Sequence, residues 1–370
     1  MSKIWRLATP LLIIAPLALA SSGALIQQAS KAGKMSAQKP LPVLITNGPV
    51  PMIDLAKLVR NSDVIAVGEV TKVSDEGRAS AQTQEQNSQC GPVHQVVASL
   101  HLDRVLGGQT SGSDISATFL VPESQNGGTA YSGIEAGKRG VFFLSVNSTP
   151  EGYSFADPYY PMVVAAAAAP PVGAGSTLFD HVVAEVTHVL VSPDAPLSTR
   201  MEAIRALEFV KSRAAIMALH RAAKDSDTKL KIHALAALLR HNDTSALDEA
   251  VDTLLNPPPD VPKNLVDGLG YSIRAGIKDP QAVPALMRLL GSPEAEKRRI
   301  ATIALGQTHS RAAAASLTKA LNDPDQEVRY NAVTGLAQVT GETDGMPSLE
   351  FFKQNEQHYL AHWRERMKKK

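Results

Sequence analysis

A leucine that returns at a nearly fixed interval constrains this chain more than any other feature. Leu207, Leu238, Leu269, Leu305 and Leu336 are separated by 31, 31, 36 and 31 residues. The residue before each is small: Ala206, Ala237, Gly268, Ala304 and Gly335. Three residues further back stand Ala203, Ala234, Leu265, Ala301 and Ala332. An apolar trio at i, i+3 and i+4, repeated at one phase, is a helix that buries the same face each time. One amphipathic pair cannot cover its own apolar face, so each unit must stack on the next. The period therefore predicts five leucines in equivalent buried places along one seam. The small residue before each lets backbones approach, and the long middle interval is expected to emerge as an insertion near 276–280.

A second series runs with the first. Arg200, Lys231, Arg298 and Arg329 stand seven places before four of the leucines, and Pro262 takes that place in the middle unit. Asp227, Glu294 and Asp325 precede three of these bases by four residues, the favourable order on a helix. The bases are read as pairing within or between repeats; the alternative is an anion-binding groove. Partner helices centre on 216–219, 250–255, 283–286 and 315–318. Pro280, Pro293 and Pro324 sit where first-turn amides are free.

The stretch Asn322-Asp323-Pro324-Asp325-Gln326-Glu327-Val328-Arg329-Tyr330-Asn331-Ala332-Val333-Thr334-Gly335-Leu336 resembles the HEAT-like repeat of the phycobilisome-lyase type. The resemblance covers about 196–342 and implies an all-α HEAT-like helical repeat solenoid. Some relatives handle bilins and most are interaction scaffolds. Few aromatics and no visible chromophore site keep lyase activity from being carried over. After the repeats, 346–370 is read as a capping helix and basic tail, with Phe352, Tyr359 and Trp363 sharing one side.

The other end of the chain reads differently. Lys3 and Arg6 precede an apolar run, 7–19, and Ala18-Leu19-Ala20 is a small-x-small cleavage pattern. Residues 1–20 are read as an export signal, because the run is too short to span a membrane. A flexible, Ser-, Ala-, Gln-, Lys- and Pro-rich lead-in follows over 21–50. From 51 to 160, apolar and β-branched runs at 64–73, 96–105, 115–121 and 140–146 alternate with Gly-, Ser- and Asn-rich turns. That pattern predicts a small all-β barrel of five strands. In the 96–105 run, Ala98, Leu100 and Leu102 fall on one face and Val97, Ser99 and His101 on the other.

The run from Asn61 through Ser62, Asp63, Val64, Ile65, Ala66, Val67, Gly68 and Glu69 to Val70 resembles the opening strand of netrin/TIMP-like OB-fold modules of bacterial envelope proteins. Val105-Leu106-Gly107-Gly108 and Gly137-Lys138-Arg139-Gly140-Val141-Phe142-Phe143-Leu144 resemble a turn and a later strand of the same group. The resemblance implies an OB-like barrel. TIMP proteins inhibit metalloproteinases through an N-terminal cysteine and carry disulfides. This chain has one cysteine, Cys90, so that activity is not implied. Between the halves, 161–195 reads as linker and joint: five alanines, Pro170-Pro171, then an apolar-periodic stretch, 179–191, that suits a helix or a strand.

The chain therefore reads as two-domain, an OB-like barrel followed by HEAT-like repeats at 196–345. A net charge of +1 excludes a broad cationic surface for nucleic acid, and 5% aromatics argue against stacking platforms. The sequence carries no nucleophile elbow, no His-Glu-x-x-His, no paired Cys-x-x-Cys and no phosphate loop. His358 and His362 stand at i, i+4 with Glu356 near, a spacing read as a surface pair rather than a metal site. No catalytic, cofactor-binding or metal residue is assigned and no cofactor is expected. The expected function is a non-catalytic, exported protein-interaction scaffold, periplasmic or secreted, with a protein partner. No nucleic-acid partner and no transmembrane segment of the mature chain are expected. The basic C-terminus offers a weak contact with the envelope surface. The alternative is an envelope enzyme, or enzyme accessory, using the barrel and the cleft beside it.

Overall fold

A computed structural model describes residues 52–81, 83, 91–123, 134–147, 152–173 and 176–368. The export signal, the lead-in and Cys90 lie outside the described residues. After a short helix, α1 (Leu55–Asn61), come six strands: β1 (Val64–Arg78), β2 (Val93–Gly107), β3 (Asp114–Pro122), β4 (Arg139–Val146), β5 (Tyr153–Phe155) and β6 (Met162–Val164). The first five close a ring in the order β1-β2-β3-β5-β4 and back to β1, and β6 adds to β4. β3 and β5 pair in parallel; the other pairs are antiparallel. The runs in β1 and β4 are continuously apolar because both faces are covered. Val64, Ala66, Phe142 and Leu144 point into the barrel with Leu100, Phe119 and Phe155. Ile65, Val67, Val141 and Phe143 point outward into a second core shared with the helices. Gly68 sits at a register shift, where a Cβ would lie 2.1 Å from the His101 carbonyl oxygen. The alternation expected in β2 is present: Ala98, Leu100 and Leu102 are buried and His101 is exposed.

The stretch read as linker and joint is structured over much of its length. It carries β6, and its apolar-periodic part is a helix, α2 (Leu178–Val191). A capping box between Thr177 and Asp180 starts that helix. Val182, Val183, Val186, Val189 and Leu190 are buried in the core that also holds Val67 and Phe143. Glu185 is buried as well. It accepts hydrogen bonds from Arg104 of β2, Nε at 3.0 Å and Nη2 at 2.5 Å. Arg104 also donates to the carbonyls of Ala166 and Ala167. The barrel and the first helix are thus held by apolar packing and by one ion pair.

The solenoid alternates longer and shorter helices. The longer set is α3 (Leu197–Leu207), α5 (Thr228–Arg240), α7 (Lys263–Gly276), α9 (Ala295–Gln307) and α11 (Gln326–Thr340). The shorter set is α4 (Arg213–Ala222), α6 (Leu247–Leu255), α8 (Val283–Leu290) and α10 (Ala314–Ala320). All five seam leucines are fully buried. The register of the middle one is corrected. The helices start after Pro196, Asp227, Pro262, Glu294 and Asp325. Counted from these caps, Leu207, Leu238, Leu305 and Leu336 share one place, and in α7 that place holds Ile273, also fully buried. Leu269 lies one turn earlier, level with Ala203, Ala234, Ala301 and Ala332. The extra residues lie before α7, in the longer connection 256–262 containing Pro257, Pro258 and Pro259. They do not lie near 276–280, where the connection matches its counterparts.

The C-terminal helix, α12 (Leu349–Lys368), is kinked at Asn355 and packs on α11. Phe352, Leu360 and Trp363 are buried, and Phe352 lies 5.5 Å from the Tyr330 ring. The apolar end of the last repeat is covered, as a terminal repeat requires.

Candidate functional site

The repeated bases hold units together. Arg200 donates to Asp225 at 2.6 Å and to the Leu190 carbonyl at 3.0 Å. Arg298 makes a two-pronged contact with Asp323 at 2.8 Å and donates to the carbonyls of Ser292 and Pro293. Arg329 pairs with Glu356 and donates to the carbonyls of Asp323 and Pro324, and Lys231 pairs with Glu249. The acids four residues before the bases do not take them. Asp227 and Asp325 cap helices instead, accepting from Leu230 and Val328. Asp325 also accepts both prongs of Arg299, at 2.9 and 2.6 Å. These contacts hold its carboxyl down at about 2. Bases engaged in this way do not line an anion groove.

A different set of side chains faces solvent along the longer helices. Phe209, just beyond α3, is 39% exposed, and Tyr271 of α7 is 55% exposed. Between them lies Arg240, the last residue of α5, whose guanidinium carbon is 6.0 Å from the Phe209 ring centre and 5.8 Å from that of Tyr271. Arg274 follows, 5.2 Å from the Tyr271 ring. Guanidinium and aromatic planes at these distances attract through the ring quadrupole. Arg240 is further fixed by Glu208 at 2.9 Å and by the Ser272 hydroxyl at 3.2 Å. Burial pushes the Glu208 carboxyl up, against the pull of Arg240 and Arg205. Burial, with Arg205 adding to it, keeps the His233 imidazole below its ordinary value.

A groove of about 490 Å³ opens beside this row, between α7 and α9. The buried Leu254 and Ile300 and the backbone of Gly268 form its apolar part, with Tyr271 and Arg274 at one side. The charges around it are largely matched: Lys263 with Asp267 at 2.8 Å, Lys297 with Glu294, and Glu296 with Arg299 at 3.5 Å. Arg274 has no ion pair among the described residues. A smaller pocket of about 140 Å³ continues from it along Arg299, Tyr330 and Asn331.

The histidine pair lies elsewhere. His358 and His362 line a second depression of about 410 Å³ with Glu342, Asp344, Tyr359 and Trp363. Glu356 is turned away, held by Arg329 and by Gln326 at 2.7 Å. Among the described residues no three of His, Cys, Asp and Glu are grouped to hold a metal ion. No described helix is long and apolar enough to cross a membrane.

Sequence reasoning missed Phe209, Arg240, Tyr271 and Arg274. The 5% aromatic content argued against stacking platforms, yet this row needs only two rings alternating with two guanidiniums. A usable signal was present: Phe209 and Arg240 each stand two places after a seam leucine.

The HEAT-repeat family model matches residues 183–270, 249–337 and 283–351. No curated protein matches the chain. Among solved structures, the complex of CpcE and CpcF of phycocyanin lyase from Nostoc sp. PCC7120 is 24% identical, over 48% of this chain and 70% of that one, with a TM-score of 0.34. A designed armadillo repeat protein in complex with the peptide (KR)4 is 17% identical, over 49% and 94%, with a TM-score of 0.31. An engineered protein is 21% identical, over 44% and 82%, with a TM-score of 0.30.

Proposed function

We propose that this protein is a non-catalytic interaction scaffold of the cell envelope that holds a partner protein against the exposed face of its longer helices. The observation that carries the reading is the row Phe209, Arg240, Tyr271 and Arg274 beside an open groove. Aromatic and arginine side chains dominate binding energy at protein interfaces, because they bury much area at low entropic loss. Here two rings remain exposed while their positions are already held by stacking. The side chains are ordered before a partner arrives, which lowers the cost of binding. Export rests on the basic, apolar and small-residue order of the first twenty residues. An OB-like identity for the barrel is supported by the strand order β1-β2-β3-β5-β4 with β3 and β5 parallel. Cross-linking tests the face. A photoreactive residue replacing Tyr271 is expected to capture an envelope protein, and one replacing the exposed Met217 of α4 is not. Equal yields from both positions would defeat the assignment.

A further inference from the structure

Glycine weakens a helix, so a glycine inside one calls for a reason. Gly270, Gly276, Gly306 and Gly335 each have one. A Cβ on any of them would come within 3.1 Å of a neighbouring atom: Ile300, the Leu239 carbonyl oxygen, Gly335 or Leu317. Gly268 has no such neighbour. A Cβ there would meet nothing within 4 Å, and the space it would enter is the groove of about 490 Å³. The missing side chain therefore serves the groove and not the packing. Pockets for organic groups are typically about 300–1,000 Å³ and mostly apolar, with a few placed polar groups. This one has Leu254 and Ile300 below and the Tyr271 face beside it, with Arg274 as the uncompensated charge. Of the acids around it, Asp267 pairs with Lys263 and Glu294 with Lys297, while Glu296 shares Arg299 with Asp325 and Glu327.

We propose that the groove is the side-chain pocket for an extended acidic segment of a partner protein. A large apolar side chain enters over Gly268, and a flanking aspartate or glutamate pairs with Arg274. This rests on the reading of the longer-helix face as the binding face. Charge complementarity at Arg274 selects the occupant: it is the one cation of the groove lining without an ion pair among the described residues, and a basic side chain placed there would bring a second cation against it. Planar, two-pronged hydrogen bonding suits guanidinium and carboxylate, and stacking on Tyr271 keeps the guanidinium plane ordered.

The test uses the full chain and four dye-labelled twelve-residue peptides, followed by fluorescence anisotropy. The peptides alternate Glu with Leu, Gln with Leu, Lys with Leu, and Glu with Ala. The Glu-Leu peptide is expected to bind at least tenfold more tightly than the others. G268L, which fills the groove, and R274E are each expected to weaken it at least tenfold. R221E, on the exposed surface of α4, should bind like the parent. Thermal melts of every variant separate lost binding from lost folding. The proposal falls if the Glu-Leu peptide does not bind, or if G268L and R274E bind it as the parent does. Tighter binding of the Lys-Leu peptide that G268L abolishes would overturn the acidic segment and leave the binding face standing. The Tyr271 cross-link reports on the face independently of any peptide.

Discussion

Glycine has two opposite meanings along the longer helices, and only the neighbours separate them. At Gly306 a Cβ would lie 2.7 Å from the Gly335 Cα and 2.4 Å from the Gln338 Oε1, so the two helices approach through that position. At Gly268 the corresponding space is open. The sequence reading placed Gly268 and Gly335 in one class, as small residues before a seam leucine. The structure corrects this: Gly335 lies 3.1 Å from Leu317 by the same measure, whereas Gly268 permits no close approach. The two substitutions should therefore have opposite signs. G268A should stabilise the fold by about 0.5–1 kcal/mol, the difference between alanine and glycine inside a helix. G306A should lower stability, because the Gly335 backbone must move as well as the flexible end of Gln338. Urea denaturation of both variants checks this, and a destabilised G268A would show that the position is packed.

At the scale of elements, the caps explain where the leucine period held and where it slipped. Two apolar places one turn apart lie on the same helical face, so a leucine in either satisfies the same periodicity. Leu269 and Ile273 are such a pair, and the helix start at Pro262 decides which is level with Leu238 and Leu305. The cap at α11 supplies a pH test. The Asp325 carboxyl sits at about 2, below its ordinary 3.8, because Arg299 and the Val328 amide favour the charged form. A group depressed on folding adds stability above its unfolded value and loses it as pH falls through the folded one. Asparagine caps a helix about as well as aspartate, so D325N removes the charge and keeps the cap. The parent should be more stable than D325N above about pH 4, and the difference should close as pH falls toward about 2. Guanidinium denaturation of both proteins between pH 6 and 2 measures it. A difference independent of pH would remove the Arg299 pair from the account. The range marks the window set by the two values for Asp325.

At the scale of the molecule, the barrel and the repeats share one apolar cluster, running from Leu55 and Phe143 through Val186 to Leu336 and Trp363. Strands β2 and β6 and the short helix α1 pack on α2, where a preceding repeat would otherwise stand. The Arg104–Glu185 pair fixes this junction, with Glu185 only 2% exposed. Removing one partner of a buried pair leaves an uncompensated charge, which costs about 3–5 kcal/mol, whereas removing both is far milder. R104A should therefore be destabilised by about that amount, and R104M/E185L should recover most of it. Thermal and urea unfolding of the three proteins decide the point. An R104A protein as stable as the parent would mean that apolar packing alone sets the junction.

The sequence by itself determined most of the elements, but not the short strands β5 and β6 or the choice of helix over 179–191. Alternation in β2 and a three-to-four period in the longer helices follow from which residues can share a face, a property of neighbours along the chain. Continuous apolar runs in β1 and β4 marked strands, and the partner helices fell at the expected places. The tertiary structure decided everything that depends on offset between elements. It chose Ile273 over Leu269, sent Arg298 to an acid beyond the next helix and Arg329 to one within it, and decided the joint, open between helix and strand, as a buried helix. It also brought Phe209, Arg240 and Tyr271, each about thirty residues from the next, into one stacked row. Each helix follows its own local period, but the contact between two helices depends on how far one is slid and turned against the other. That displacement is set by side-chain volumes packed across the interface, which the order of residues along either helix does not contain.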